Sequence, residues 1–439
     1  MLELRELDPG QRIVVTGMGT VSPLGNNVPE SMDRLFAGES GIEAIADELI
    51  EEYPKLNVRV SARVHDFDTT QDPLIAGLSP AKLRFAHPAA RYALVATSQA
   101  LRQAGLATLP EDKEMKPLAA AGQIDPNRVA VSIGTGVGGA DWVMYADRMA
   151  RATAEYEGKS LSPQYLLNVL PERPATLVSI HFGAKGPLKN VNGACATGNM
   201  NIIDAAHLLK LGEADVVIAG GTEAQVTPLG VGLFDSTALD KNPDPAQASR
   251  PFHTAEAGFV MGEGSAVLVL ETLEHALGRG AVVLAELAGY GEAGDAYHDT
   301  MLSGEGAVRA IQIATRDVAQ ASGIYVNAHA TGTSGDKIEL RSIGEALNRD
   351  DILAASSTKG ATGHMLGAAG VFEAITTIEA VRRRQAPPTL KLDDRVAEAE
   401  GWELSPYTAT SIPDVVAGVN DSFGFGGINA VTVWTKPEL

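Results

Sequence analysis

The chain repeats itself. Five short stretches of its first half return, in the same order, in its second half. RIVVTGMG (12–19) is answered by AVVLAELAGYG (281–291), and VAVSIGTGVG (129–138) by IYVNAHATGT (324–333). ACATGNM (194–200) is answered by KGATGHM (359–365), which sets Ala-Thr-Gly and Met in one register. DVVIAGGTEA (215–224) and GEGSAVLVLE (262–271) are answered by DVVAGVNDSF (414–423) and GGINAVTVWT (426–435). Most of these are apolar runs broken by glycine, the pattern of buried strands. Helix-period segments such as 89–104 and 198–211 lie between them, so the halves read as α/β layers. The period is far too long for a solenoid. The expected architecture is two similar α/β halves packed on each other, 12–272 and 281–436.

Charge narrows the function. Lys and Arg number 35 against 55 Asp and Glu, a formal net charge of −20. A uniformly basic nucleic-acid binder is excluded, because phosphate binding needs local Lys and Arg in excess. One cysteine rules out an intrachain disulfide and a four-cysteine zinc site. No apolar run approaches the roughly 20 residues of a membrane helix. The first ten residues, MLELRELDPG, lack the apolar core of a signal peptide. The expectation is a cytoplasmic protein with no membrane span.

The single cysteine, Cys195, falls in VNGACATGNMN, at the start of a helical pattern. Helix N–H groups and the helix dipole there favour a thiolate. A small packing cysteine is the other role open to it. His329 follows a strand in NAHATGTSGD. His364 lies in STKGATGHMLGAAG, five residues after Lys359. Each histidine alone reads as structural rather than catalytic; the duplication is what could bring Cys195, His329 and His364 to one crevice. SFGFGGINA (422–430) places Phe423 and Phe425 between glycines, as a mobile aromatic gate or a tight turn. Rossmann and Walker spacings are absent.

GACATG around Cys195, NAHATGT around His329, STKGATGH with Lys359 and His364, and NDSFGFGG together resemble the β-ketoacyl-acyl-carrier-protein synthases, synthase II type. The resemblance runs from about Arg12 to Trp434. It implies a thiolase-like fold, two duplicated halves in five α-β-α-β-α layers, as a homodimer. It implies a decarboxylative Claisen condensation without a redox cofactor, in fatty-acid elongation. Cys195 would carry the acyl chain as a thioester. His329 and His364 would stabilise the enolate formed from malonyl-carrier protein. The backbone N–H groups of Cys195 and Phe425 would form the oxyanion hole. Lys359 would support the site electrostatically, with Glu339 as its ion-pair mate. Thr331 and Thr333 match pantetheine contacts, Phe425 the gating phenylalanine, and Val137 a wall of the acyl pocket. Asn327, Glu373, Asn420 and Asn429 match a structural monovalent-cation site.

The chain departs from the family pattern in places. HATGTSGD is one residue short before Gly-Asp, RPFHTAEAGF stands where RPFDxxRDGF is usual, and Asp421 replaces an asparagine. An acidic carrier protein would need a local basic patch, for which Lys82, Arg84 and Arg91 are the candidates. A thiolase would need a second cysteine, and a synthase III would show asparagine at His364. A chain-length factor would lack Cys195. Polyketide- or mycolate-type ketosynthases use the same four motifs and stand as the alternative, beside a catalytically silent partner.

Overall fold

The computed structural model describes residues 10–438 apart from 77, 79–82, 84–85, 113–114, 140, 142, 145–146, 148–150, 152–163, 237 and 319–321. Lys82 and Arg84 lie outside the described residues. The first half runs β1 (Ile13–Val21), α1 (Pro88–Gln103), β2 (Val129–Gly134), α2 (Arg173–Phe182), β3 (Leu188–Lys189), α3 (Thr197–Lys210), β4 (Val216–Glu223) and β5 (Gly264–Thr272). The second runs β6 (Ala285–Gly294), α4 (Glu305–Thr315), β7 (Ile324–Asn327), α5 (Gly335–Ala346), β8 (Ile352–Ser356), α6 (Ala369–Arg383), β9 (Ala417–Gly424) and β10 (Ile428–Thr435).

The two halves have one topology. Their strand orders are β3-β2-β4-β5-β1 and β8-β7-β9-β10-β6. In each, the last strand is antiparallel to its neighbours and the inner pair runs parallel. The sheets join edge to edge where Ile13, Val14 and Val15 of β1 face Leu287, Glu286 and Ala285 of β6. Helix α1 packs on β1 and β5 outside one sheet, and α4 on β6 and β10 outside the other. Helices α3 and α6 lie against each other between the halves and touch strands of both. Five layers result.

Glycine explains how tightly these layers close. Both faces of β1 are buried, so its sequence is a continuous run rather than an alternation. A Cβ on Gly17 or Gly19 would run into the carbonyls of Ala100 and Ala96 on α1. In the second half Gly289 and Gly291 of β6 meet Ala314 and Ala310 of α4 in the same way. At the centre, a Cβ on Gly198 of α3 would lie 2.7 Å from the Val371 nitrogen of α6. The glycines are therefore docking positions for helices.

One register in the repeat is different from that expected. A one-turn helix, Ala194–Ala196, leads into α3, and its counterpart Leu366–Ala368 leads into α6. Ala194 and Leu366 both have positive φ, 49° and 46°. Structurally Cys195 thus corresponds to Gly367. The Ala-Thr-Gly of the second half lies earlier, in a separate short helix Lys359–Thr362. Small residues recur at both places because both backbones are crowded, and identity of letters followed crowding rather than descent.

Candidate functional site

The nucleophile candidate sits at a strained corner. Ala194 holds a left-handed conformation that costs a non-glycine residue on the order of 1–2 kcal/mol. Thr197 Oγ1 accepts the Gly193 N–H at 2.9 Å and fixes the approach to α3. Cys195 is buried and unbonded to any other cysteine. It belongs to an apolar cluster with Val226, Val231, Leu239, Phe259, Met261 and Leu366.

The loop after β7 brings in His329. Glu339 from α5 accepts the His329 and Ala330 N–H groups at 2.6 and 2.8 Å. Asp336 accepts those of Thr331 and Gly332 at 2.9 and 3.0 Å. The shortened HATGTSGD loop thus keeps both acids in place. Thr331 and Thr333 face each other, hydroxyl to hydroxyl, at 3.0 Å. His364 is held by the other half: its N–H donates to Val260 O at 2.7 Å, and its carbonyl accepts the Gly262 N–H at 2.9 Å. The Phe259 ring packs edge-on against His364 at 5.2 Å between centroids.

These side chains converge. The Cys195 sulfur and a ring nitrogen from each of His329 and His364 lie within 4.8 Å of one another. The two imidazoles stand nearly perpendicular at 5.3 Å. Both ring nitrogens of His364 and Nδ1 of His329 are buried with no hydrogen-bond partner among the described residues. The Phe425 N–H is directed at the Cys195 sulfur. A cavity of about 460 Å³ opens above them, lined also by Thr331, Thr333 and Phe425. The Phe425 ring is partly exposed at its mouth and lies 6.5 Å from Phe234. A wider surface groove of about 650 Å³, beside Gln103 and Arg383, holds none of these groups.

Electrostatics set the protonation states. Burial, then the Lys359 charge, hold His329 and His364 well below the ordinary 6.5, so both are neutral donors. Burial pushes the Cys195 thiol up to about 12, against the pull of Lys359 and the Phe425 N–H. The expected thiolate is therefore not the resting form; desolvation outweighs the helix start, and the thiol ionises as it reacts. Lys359 is fully buried and pairs with Glu373 of α6. The expected mate, Glu339, instead binds backbone N–H groups. Its position on α5 directs it to the His329 loop, whereas Glu373 stands where the Lys359 amine ends.

The four cation candidates divide. Asn327 and Asn420 face each other across paired strands, and Asn327 Oδ1, Glu373 Oε2 and Asn420 Oδ1 are buried without partners. Asn429 Oδ1 is likewise buried without a partner among the described residues, while its amide nitrogen donates at 3.0 Å to Asp295, the acid that caps α4. Asp421 joins the candidates, both of its carboxylate oxygens buried and unpartnered among the described residues. Burial and Glu373 push it up to about 8.

Sequence reading missed Glu223, Glu373 as ion-pair partner, and Asp421. A carboxylate closing the apolar strand VVIAGGTE was the available signal for Glu223. Val137 borders the apolar cluster around Cys195. Its N–H and that of Gly136 donate to Glu223 at 3.2 and 2.7 Å.

Comparisons with known proteins identify the family. Residues 10–276 match the N-terminal domain of the β-ketoacyl synthases and residues 284–393 the C-terminal domain. The chain belongs to the β-ketoacyl synthase family. It is 38% identical to a 3-oxoacyl-[acyl-carrier-protein] synthase 2 of Vibrio harveyi, over 97% of this chain and 99% of that one. The ishigamide ketosynthase/chain length factor superposes with a TM-score of 0.84 at 28% identity, covering 97% of this chain and 99% of that one. A type II polyketide ketosynthase in complex with its acyl-carrier protein superposes at 0.80 and 27% identity, over 97% and 99% of the two chains.

Proposed function

We propose that this β-ketoacyl synthase is an acyltransferase that condenses an acyl thioester with malonyl-acyl-carrier protein in fatty-acid elongation, giving 3-oxoacyl-carrier protein. The convergence of Cys195, His329 and His364 beneath one cavity carries the reading. Cys195 sulfur attacks the carbonyl of the acyl-carrier thioester. The C–S bond to the carrier breaks, and the carrier thiol leaves with the proton that the cysteine gave up. Negative charge on the carbonyl oxygen falls to the N–H groups of Cys195 and Phe425, each worth ~3–4 kcal/mol when aligned. Malonyl-carrier protein then loses carbon dioxide. Its enolate oxygen takes hydrogen bonds from the neutral imidazoles of His329 and His364, which burial and then the Lys359 charge keep unprotonated. The enolate carbon attacks the Cys195 thioester, a C–C bond forms, and the released sulfur regains a proton. Thr331 and Thr333 receive the pantetheine arm; Phe425 gates it. No redox cofactor enters this balance.

The apolar cluster that includes Cys195 supports a saturated acyl chain. The carrier is acidic and the chain's net charge is −20, so docking depends on a local patch that includes the half-buried Arg91. The open edge of β3, with exposed Leu188, supports pairing with a second copy as a homodimer. No helix among the described residues is long and apolar enough to cross a membrane. A cytoplasmic or organellar-matrix enzyme fits the curated bacterial and mitochondrial relatives. A structural cation would be held by Asn327, Glu373, Asn420 and Asp421, whose orphaned oxygens fit it; it would neutralise the buried acids beside Lys359.

The test is intact mass after mixing with octanoyl- and palmitoyl-carrier protein. Wild type gains one acyl mass, and Cys195→Ala gains none. Adding malonyl-carrier protein then discharges the adduct as 3-oxoacyl product. An unacylated wild type would sink this reading in favour of a silent partner.

A further inference from the structure

Glu223 is a fully buried carboxylate that the reaction above does not use. Four backbone N–H groups converge on it. Oε2 accepts from Gly136 at 2.7 Å, from Val137 at 3.2 Å and from Gly367 at 3.2 Å, while Oε1 accepts from Gly138 at 3.4 Å. Three of these donors belong to the loop after β2. The fourth belongs to the Leu366–Ala368 turn, the second-half counterpart of the Cys195 turn. The junction is too tight for side chains. A Cβ on Gly136 would lie 2.9 Å from Glu223 Oε2, 3.0 Å from Ala194 O and 3.1 Å from Gly367 N. The acyl-pocket loop, the strained residue before the nucleophile, and the opposite half therefore meet at this carboxylate.

Resting on the reading of Cys195 as the nucleophile, we propose that Glu223 is a positioning residue. It clamps the Val137 loop to the opposite half and places a negative charge beside the sulfur. Four N–H donors need the lone pairs of a carboxylate; an amide would turn its NH₂ toward some of them. Burial pushes Glu223 up to about 7, and the four N–H groups oppose that rise. The charged groups that act on the Cys195 sulfur are Lys359, which favours its ionisation, and Glu223 and Glu373, which oppose it. The neutral imidazoles of His329 and His364 complete its surroundings.

The clamp and the charge separate by mutation. Glu223→Gln removes the charge, and Glu223→Asp keeps it but shortens the reach. Cys195 alkylation by iodoacetamide, followed by intact mass against pH with Cys195→Ala as blank, reads the charge without any acyl substrate. The ratio of octanoyl to palmitoyl loading reads the loop. Glu223→Gln should alkylate ~3- to 10-fold faster at a fixed alkaline pH, the size of a downward shift of roughly half to one pH unit. Glu223→Asp should keep the wild-type alkylation profile and change the loading ratio. A folded Glu223→Gln with the wild-type profile overturns the proposal. So does a wild-type loading ratio in Glu223→Asp, which decides the matter if Glu223→Gln does not fold. A wild type that alkylates at Cys195 but accepts no acyl group would defeat the proposed function and leave the charge effect of Glu223 measurable.

Discussion

The loops after β2 and β7 occupy matching places in the two halves, and each wraps its N–H groups around a buried carboxylate. After β2 the acid is Glu223, from the neighbouring strand of the same sheet, and the loop carries Val137, packed against the apolar cluster that includes Cys195. After β7 the acids are Asp336 and Glu339, from the following helix, and the loop carries His329 and two threonines. The pair of helix-start turns diverges similarly: Cys195 in one half, Gly367 in the other. Duplication supplied two equivalent scaffolds, and each kept one part of the chemistry. The proposed nucleophile and its proposed enolate donors thus come from different halves, and neither half holds the whole Cys195–His329–His364 group.

The sharpest way to break that division is to remove one donor. His364→Ala should slow decarboxylation of malonyl-carrier protein by ~10²–10³-fold, the loss typical of one oxyanion donor. Self-acylation of Cys195, followed by mass, should fall far less. Equal losses in both steps would mean that the halves share their labour. Next in size is Lys359→Ala. It leaves Glu373 charged and unpaired in the interior, a cost of about 3–5 kcal/mol. Urea unfolding should show it, and the double variant with Glu373→Gln should recover part of the loss.

The carboxylate clamps offer a finer contrast. Glu339→Ala orphans two buried N–H groups, costing ~1–3 kcal/mol each. It should impair decarboxylation more than acyl loading, because it frees the His329 backbone. A selective loss of loading instead would contradict the assignment of the second loop. Gly19→Ala and Gly291→Ala drive a methyl into equivalent helix carbonyls. Each should destabilise by ~1–3 kcal/mol, and similar values would confirm equivalent docking in the two halves.

A further effect is linked to pH. Glu223 has an ordinary value of 4.5 and is raised to about 7 in the fold, by burial. A raised carboxyl binds its proton more tightly folded than unfolded. Its stabilising share is full below 4.5 and is lost as pH climbs to about 7. Glu223→Gln lacks this term, so its melting temperature relative to wild type should rise across that window. A constant difference would show that Glu223 keeps its ordinary acidity.

Much of this was legible without coordinates. Apolar runs with glycine marked every strand of the large sheet except β3 and β8, because strand burial is written locally as an uninterrupted pattern. Cys195, His329, His364 and Lys359 were legible because their chemistry needs those side chains inside recognisable loops. The Ala-Thr-Gly repeat misled, since small residues mark any crowded turn, whichever turn it is. What only the tertiary structure decided concerns distances between elements far apart in sequence. It assigned Lys359 to Glu373 rather than Glu339, exposed Asp421 and Glu223 as buried acids, and raised the Cys195 thiol. Periodicity and loop chemistry depend on neighbours along the chain. Ion pairing and acidity depend on which charges, dipoles and apolar walls the fold brings within a few ångströms, and no local pattern encodes that.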